Sequence, residues 1–138
     1  MNLYIIVEGK ATEPIVYTAW LKILAPQMTM IENAWEVAEN NYYLFSSQGI
    51  PSIYKHTANA VADINSINAG NNGKYDYLLV CLDTEEETRE YIEQQIFKAI
   101  KENGENLRDT RLLRLTHRIK CCSTTYRNIM CVTSIRKK

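Results

Sequence analysis

Four acidic residues stand where the chain could gather carboxylates around a metal ion. Glu8 directly follows the apolar run LYIIV, and Asp83 ends the largely apolar run YDYLLVCLD. Glu13 and Glu85 lie close behind them in the sequence. Clustered carboxylates repel one another unless a cation neutralises them, and a hard cation such as Mg²⁺ or Mn²⁺ prefers oxygen ligands. The sequence therefore predicts a divalent-metal site if the fold brings these residues together.

The elements that would position these residues indicate an α/β fold. Apolar, β-branched and aromatic runs at residues 3–7, 42–47 and 75–83 predict strands, and the first is uninterrupted enough to be covered on both faces. Helical patterns follow each strand, and this alternation predicts a mostly parallel sheet flanked by helices. Ligands bind such sheets at the carboxyl ends of the strands. Glu8 and Asp83 would meet there if the first and third of these strands are neighbours.

Caps and breakers predict where the helices begin and end. Thr12 is the expected N-cap of the first helix, and Pro26 stops it. Ser52 opens the second helix, and a capping box of Thr84 and Glu87 is expected to open the third. Residues between the first helix and the second strand (27–41) show no clear pattern. The apolar face of the first helix, with Trp20 as a core residue, is predicted to consist of Val16, Ala19, Trp20, Ile23 and Leu24.

Charge divides the chain into two parts although the net charge is zero. Residues 1–106 hold 7 basic and 15 acidic residues, whereas residues 107–138 hold 9 basic residues and one acidic residue. Such asymmetry indicates a nucleic-acid contact or a tail of different character. Short strands are expected near 111–115 and 129–135. Four arginines recur at three- and four-residue spacing: Arg108, Arg111, Arg114 and Arg118. On a helix they would form one cationic stripe for phosphates, on a strand they would scatter, and a disordered tail is an equal alternative.

Other kinds of site find little support in the sequence. The four cysteines form no CxxC pair, which argues against a zinc site or a disulfide framework. No phosphate-loop motif occurs, and His56 and His117 belong to no visible ligand set and are interpreted as structural or surface residues. No apolar run reaches the length of a membrane span, and the N-terminus does not resemble a signal peptide. We therefore expect a cytoplasmic protein of one compact domain.

Two short motifs carry a resemblance to a known family. VEGKATEP, followed about 70 residues later by LLVCLDTE, resembles the Toprim domain of topoisomerases, bacterial primases, OLD-type nucleases and RloB-like defence proteins. The EGxxTEP spacing is most similar to the RloB-like group. The resemblance covers roughly residues 3–103 and implies a Toprim-like, Rossmann-like domain over 1–106. Residues 107–138 are then a basic segment of the same domain or a tail.

The resemblance also implies roles for individual residues. Glu8 would be the general acid or base, or the first metal ligand, and Asp83 would be a metal ligand. Glu85 stands where the family has a second aspartate, with a side chain one methylene longer, and Glu13 matches the extra glutamate of the nuclease branch. The basic sequence after residue 106 departs from the later acidic and basic residues that such nucleases supply.

The resemblance implies a Mg²⁺- or Mn²⁺-dependent phosphodiester-processing enzyme, a nuclease acting on DNA or RNA, with phage defence as an analogy. Lys10 would contact a phosphate, or it is an ordinary exposed lysine. The alternative is a non-catalytic module that binds nucleic acid or a partner protein, such as an ATPase encoded nearby, through the basic segment. The sequence leaves open the choice of DNA or RNA, the number of metal ions and the oligomeric state.

Overall fold

The computed structural model describes five stretches of the chain. They are residues 1–70, 73–83, 87–106, 111–117 and 131–134, and the last two, with Asp83 and Arg89, are described by their backbone. The helices and strands within these stretches are β1 (Leu3–Val7), α1 (Thr12–Leu24), β2 (Thr29–Ile31), β3 (Asn41–Ser46), α2 (Ser52–Ala69), β4 (Tyr77–Asp83), α3 (Arg89–Glu102), β5 (Arg111–His117) and β6 (Cys131–Ser134), and a 3₁₀ helix spans Ala34–Glu36. None of these helices is both long and apolar enough to cross a membrane.

The strands of the described stretches form one sheet in the order β2-β3-β1-β4-β5-β6. Neighbours are parallel from β2 through β5, and β6 is antiparallel to β5. A mostly parallel sheet flanked by helices is a Rossmann-like α/β architecture, so the predicted fold class is confirmed. All of β1 is buried, as its uninterrupted apolar sequence predicts for a strand covered on both faces.

Helices cover both faces of the sheet. Tyr4 and Ile6 of β1 pack in a hydrophobic cluster with residues of α2 and α3. The alternate residues Ile5 and Val7 pack in a second cluster, with Tyr17 of α1. Successive side chains of a strand point to opposite faces, so β1 is held from both sides. Its carboxyl end, which leads to Glu8, therefore has a fixed position in the fold.

The sheet extends beyond the strands that the first hundred residues predict. β5 and β6 match the short strands expected near 111–115 and 129–135, and both belong to the same sheet as β1. Residues 27–41, which show no clear sequence pattern, contain β2 and the 3₁₀ helix. β2 is only three residues long and pairs with β3 at the edge of the sheet. So short an edge strand carries too few residues for a hydrophobic period to be visible.

The predicted buried face of α1 is wrong. Ile23 and Leu24 are 76% and 73% exposed. Tyr17 is the buried residue of this helix, and Trp20 and Leu21 are half-buried beside it. α1 is apolar around much of its circumference, so the period of its apolar residues fits more than one face. Packing against the sheet selects the arc through Tyr17, which the sequence pattern does not mark.

The predicted helix starts also need correction. Thr12 is not the N-cap of α1 but its first helical residue, and Ala11 occupies the cap position without a side-chain hydrogen bond. The acceptor near this helix end is the carboxylate of Glu13, whose Oε2 accepts from the Gly9 N–H at 2.9 Å. The chain therefore closes this turn with a glutamate instead of a threonine.

The capping box predicted for Thr84 and Glu87 is wrong as well. α3 begins at Arg89, and the hydroxyl of Thr88 accepts from the Tyr91 N–H at 3.2 Å. Glu87 precedes the cap and is exposed. Two threonines four residues apart both fit a cap position, and the sequence alone does not decide which one stops the loop.

Asn2 links three strands at the amino edge of the sheet. It is buried and lies just before β1. Its backbone N–H donates to a carboxylate oxygen of Asp76 at 2.7 Å. Its side-chain amide donates to the carbonyl oxygens of Ala38 at 2.9 Å and Lys74 at 2.7 Å, and its side-chain oxygen accepts from the Asn41 N–H at 2.8 Å. These bonds connect the starts of β1, β3 and β4. Asn2 therefore helps to set the register of the strands that lead to the opposite, carboxyl edge.

Candidate functional site

Glu8 and Asp83 lie on neighbouring strands at the carboxyl edge of the sheet. β1 pairs in parallel with β4, and Val7 is in register with Cys81. The backbone N–H of Glu8 donates to the Cys81 carbonyl oxygen at 3.1 Å, and Asp83 ends the same strand two residues further on. The condition for Glu8 and Asp83 to meet, that the first and third predicted strands are neighbours, is therefore met.

The turn after β1 is fastened to the loop after β3. The Gly49 N–H donates to the carbonyl oxygen of Glu8 at 3.0 Å, and the hydroxyl of Ser46 donates to the carbonyl oxygen of Gly9 at 2.8 Å. Gln48 and Gly49 have φ angles of 63° and 106°, in the left-handed region that lets this loop fold back. Glu8 thus stands on a backbone that is held on both sides, by β4 and by this loop.

An open cleft of about 490 Å³ lies at this turn. Its lining residues are Glu8, Gly9, Lys10, Glu13, Gln48 and Gly49. Three of the residues predicted to form the site, Glu8, Glu13 and Lys10, are therefore brought together. Lys10 is exposed at the cleft, which is compatible both with a phosphate contact and with an ordinary surface lysine.

Glu13 has a structural partner in the same turn. Its carboxylate accepts the Gly9 N–H, and a Cβ added at Gly9 would lie 3.1 Å from Cδ and 3.2 Å from Cγ of Glu13. Gly9 thus allows the glutamate side chain to lie against the backbone of the turn. One carboxylate oxygen of Glu13 is engaged with that backbone, and the whole group borders the cleft.

The two roles of Glu13 can be separated by substitution. Glu13→Gln keeps an oxygen that accepts the Gly9 N–H but removes the charge, so we expect the free energy of unfolding to change by less than about 0.5 kcal/mol. If Glu13 also supports a cation, Mn²⁺ affinity falls about tenfold or more. Urea denaturation and Mn²⁺ titration of the same preparations measure both. Unchanged Mn²⁺ affinity would mean that Glu13 only stabilises the turn and does not support a cation.

The predicted cation would need oxygen ligands from the side chains at this edge of the sheet. The described side chains include no group of three His, Cys, Asp or Glu residues placed to hold a metal ion. Glu8 and Glu13 border one cleft, Asp83 is placed by its backbone, and Glu85 lies outside the described residues. Mg²⁺ in proteins is commonly held by one or two carboxylates and several waters, so two carboxylates at an open cleft fit a hard divalent cation.

Cys81, although it neighbours the site along β4, offers no reactive thiolate. The thiol is free and buried. Burial raises the pKa of Cys81 to about 12, with a smaller opposing effect from a hydrogen bond with Tyr17. A thiol that remains protonated is neither a nucleophile nor a metal ligand. Cys81 is therefore a packing residue of β4.

The arginine stripe is not helical where the structure describes it. Arg111 and Arg114 lie on β5, in register with Tyr77 and Val80 of β4, so the helical alternative is wrong for this pair. Arg111 begins β5 and is thus at the amino edge, away from Glu8. Arg108 and Arg118 lie outside the described residues. Strand propensity in RLLRLTH outweighs the three-residue spacing of the arginines.

Two residues near the site were missed by sequence reasoning. His117 ends β5 with its Cα in register with Asp83, so its backbone also reaches the carboxyl edge. Tyr54 lies in the first turn of α2, and burial is the main cause that raises its pKa, followed by the charges of Tyr91, Glu87 and Glu8. Tyr54 could have been predicted from its position five residues after Gly49. A helix that follows a parallel strand begins at the carboxyl edge of the sheet, so its first turn lies near the site.

Glu8, Glu13 and Lys10 thus share one cleft, Asp83 joins them through its strand, and Arg111 begins β5 at the opposite edge. Comparison with models of protein families, with curated proteins and with solved structures found no match for this chain. Its function is therefore inferred from its own residues and their placement.

Proposed function

We propose that this protein is a Mg²⁺- or Mn²⁺-dependent phosphodiester-processing enzyme, a nuclease that acts on DNA or RNA. The observation that supports it is the juxtaposition of Glu8 and Asp83 on adjacent parallel strands, beside a cleft that also contains Glu13. Parallel α/β sheets bind ligands at this edge. The EGxxTEP and LDTE motifs, which resemble those of Toprim nucleases, agree with the same assignment.

The chain supplies groups for each part of the reaction. Glu8 and Asp83 would hold the cation, with Glu13 or Glu85 as further oxygen donors. A bound divalent ion would polarise the phosphate and lower the pKa of a coordinated water. Glu8, on its fixed turn, would also accept the proton of the attacking water. Lys10 at the mouth of the cleft would attract the phosphate.

The basic segment 107–138 would supply affinity that does not depend on base sequence. Its 9 basic residues against one acidic residue would neutralise backbone phosphates and make binding sensitive to salt. A cytoplasmic location, where the Cys81 thiol stays reduced, belongs to the same proposal. A role in defence against phage, with an ATPase as partner, follows from the resemblance to RloB-like proteins by analogy alone.

The same basic segment favours a second candidate function. A non-catalytic module would use it to bind nucleic acid or a partner protein while the acidic edge has only a structural role. The two candidates differ in turnover, because the module binds without cutting.

Cleavage assays distinguish these candidates. Single- and double-stranded DNA and RNA are incubated with the protein in Mn²⁺ or Mg²⁺, and EDTA serves as the metal-free control. The enzyme proposal expects cutting that requires the metal and is lost in Asp83→Asn. Salt-sensitive binding without cutting of any substrate would refute the enzyme and support the binding module.

A further inference from the structure

The hydroxyl of Tyr54 is buried and has no hydrogen-bond partner among the residues that the structure describes. Tyr54 lies at the start of α2, where the Ile53 N–H donates to the carbonyl oxygen of Gly49 at 3.1 Å. Gly49 in turn is bonded to the backbone of Glu8. The aromatic ring packs against the hydrophobic cluster between the sheet and α2 and α3. The ring is therefore fixed, and only its polar end is unsatisfied.

Tyr75 shows how a structural tyrosine is treated in the same cluster. Its hydroxyl is also buried but donates to the carbonyl oxygen of Ala34 at 2.8 Å. A buried hydroxyl without a partner lowers stability, and most such groups in proteins are satisfied. If packing were the whole role of Tyr54, a phenylalanine would fill the site without that cost. The described part of the chain thus packs the Tyr54 ring but supplies no partner for its hydroxyl.

The surroundings of Tyr54 favour a donor hydroxyl. Burial and the nearby charges of Tyr91, Glu87 and Glu8 raise its pKa, so the phenol keeps its proton at neutral pH. A protonated phenol can donate one hydrogen bond to an anionic oxygen. Tyr54 also lines a second cleft of about 390 Å³ between α2 and α3, whose charged lining residues are Lys55, Lys98 and Glu102. The Lys98 ammonium lies 3.9 Å from a carboxylate oxygen of Glu102, so part of the positive charge is balanced within α3.

Building on the proposed function, we propose that Tyr54 is a substrate-binding residue whose hydroxyl donates a hydrogen bond to a phosphate oxygen of the nucleic acid held near Glu8. Glu8 and Asp83 act on the scissile phosphate through the cation, and Tyr54 adds a neutral donor from the other side of the turn. The cleft between α2 and α3, with Lys55 in its lining, would then take the strand away from the cut. This assigns α2 as well as β1 and β4 to substrate recognition.

Two matched tyrosine variants test the inference. Tyr54→Phe removes a hydroxyl that has no partner, and Tyr75→Phe removes one that is bonded to Ala34. The melting temperature is measured for each protein alone and with inorganic phosphate and Mn²⁺, and kcat and KM are measured on whichever substrate is cut. The phosphate-induced rise in melting temperature reports binding without turnover.

We expect Tyr54→Phe to melt at or above the wild-type temperature, to lose most of the phosphate-induced rise, and to raise KM about tenfold, the ratio for one lost hydrogen bond to a charged group. Tyr75→Phe should melt lower and keep both the phosphate response and KM. A full phosphate response in Tyr54→Phe, or none in the wild type, overturns the inference.

The failure of the inference can be told apart from the failure of the proposed function. If no nucleic acid is cut but the phosphate response depends on Tyr54, the nuclease proposal fails and the phosphate site stands. If cutting requires the metal but Tyr54→Phe has wild-type KM and phosphate response, the nuclease stands and the role of Tyr54 is refuted.

Discussion

Glu8→Gln is expected to lower the rate of metal-dependent cleavage by about 10³-fold, which is within the range for loss of a general acid or base. The substitution keeps the size of the side chain and removes its charge, so both a metal ligand and a proton acceptor are lost. The backbone bonds of Glu8 to Cys81 and Gly49 do not involve the side chain. Because glutamine keeps the shape of the side chain, the free energy of unfolding should stay within about 0.5 kcal/mol of wild type.

Glu39→Gln is the matched control for this loss. Glu39 is exposed and lies two residues before β3 begins, at the amino edge of the sheet. The same change of charge should leave cleavage at the wild-type rate, since parallel strands keep the two edges apart. If Glu8→Gln cleaves as fast as wild type, or if Glu39→Gln loses as much activity as Glu8→Gln, Glu8 is not part of the site.

Asn2→Ala is expected to have the largest effect on stability, with a cost of about 3 kcal/mol. Three hydrogen bonds of the Asn2 side chain are lost, each worth about 1 kcal/mol, and the carbonyl oxygens of Ala38 and Lys74 and the N–H of Asn41 lose their partner. Stabilities of about 0.05–0.15 kcal/mol per residue are usual for domains, so this is about a seventh to two fifths of the total expected for this chain. Urea denaturation followed by circular dichroism measures it.

Asn59→Ala provides the comparison for Asn2→Ala. Asn59 is exposed on α2, where alanine has the higher helix propensity, so its substitution should be neutral or slightly stabilising. A cost below about 1 kcal/mol for Asn2→Ala would mean that the register of β1, β3 and β4 is set by side-chain packing and not by this amide.

The strands at the site were predictable because their signals are local and strong, whereas their order was not. LYIIV and YLLVCLD are apolar runs that end in carboxylates, and parallel pairing places both ends at one edge. Once those two strands are neighbours, the proximity of Glu8 and Asp83 follows from strand geometry. Even the short strands β5 and β6 were found in the basic segment, since β-branched and apolar residues mark them.

Other features depend on tertiary packing that no local pattern encodes. The sequence marks Ile23 and Leu24 as apolar, but only contact with the sheet decides that Tyr17 is buried instead. The unsatisfied hydroxyl of Tyr54 depends on how α2 meets the turn at Gly49, a contact between residues that are distant from Glu8 in sequence. The bond between Glu13 and Gly9 is equally invisible, because a glutamate in a first helical turn is common for reasons of the helix dipole.

The claim that Glu8 and Asp83 share one cation is tested most directly by Mn²⁺ binding. Electron paramagnetic resonance measures free Mn²⁺ in titrations of the wild type, Glu8→Gln, Asp83→Asn and the double variant. We predict that each single substitution weakens binding about tenfold or more, and that the double variant loses less than the sum of the two, because contacts to one ion are not additive. Undiminished Mn²⁺ binding in both single variants would contradict a cation between these strands.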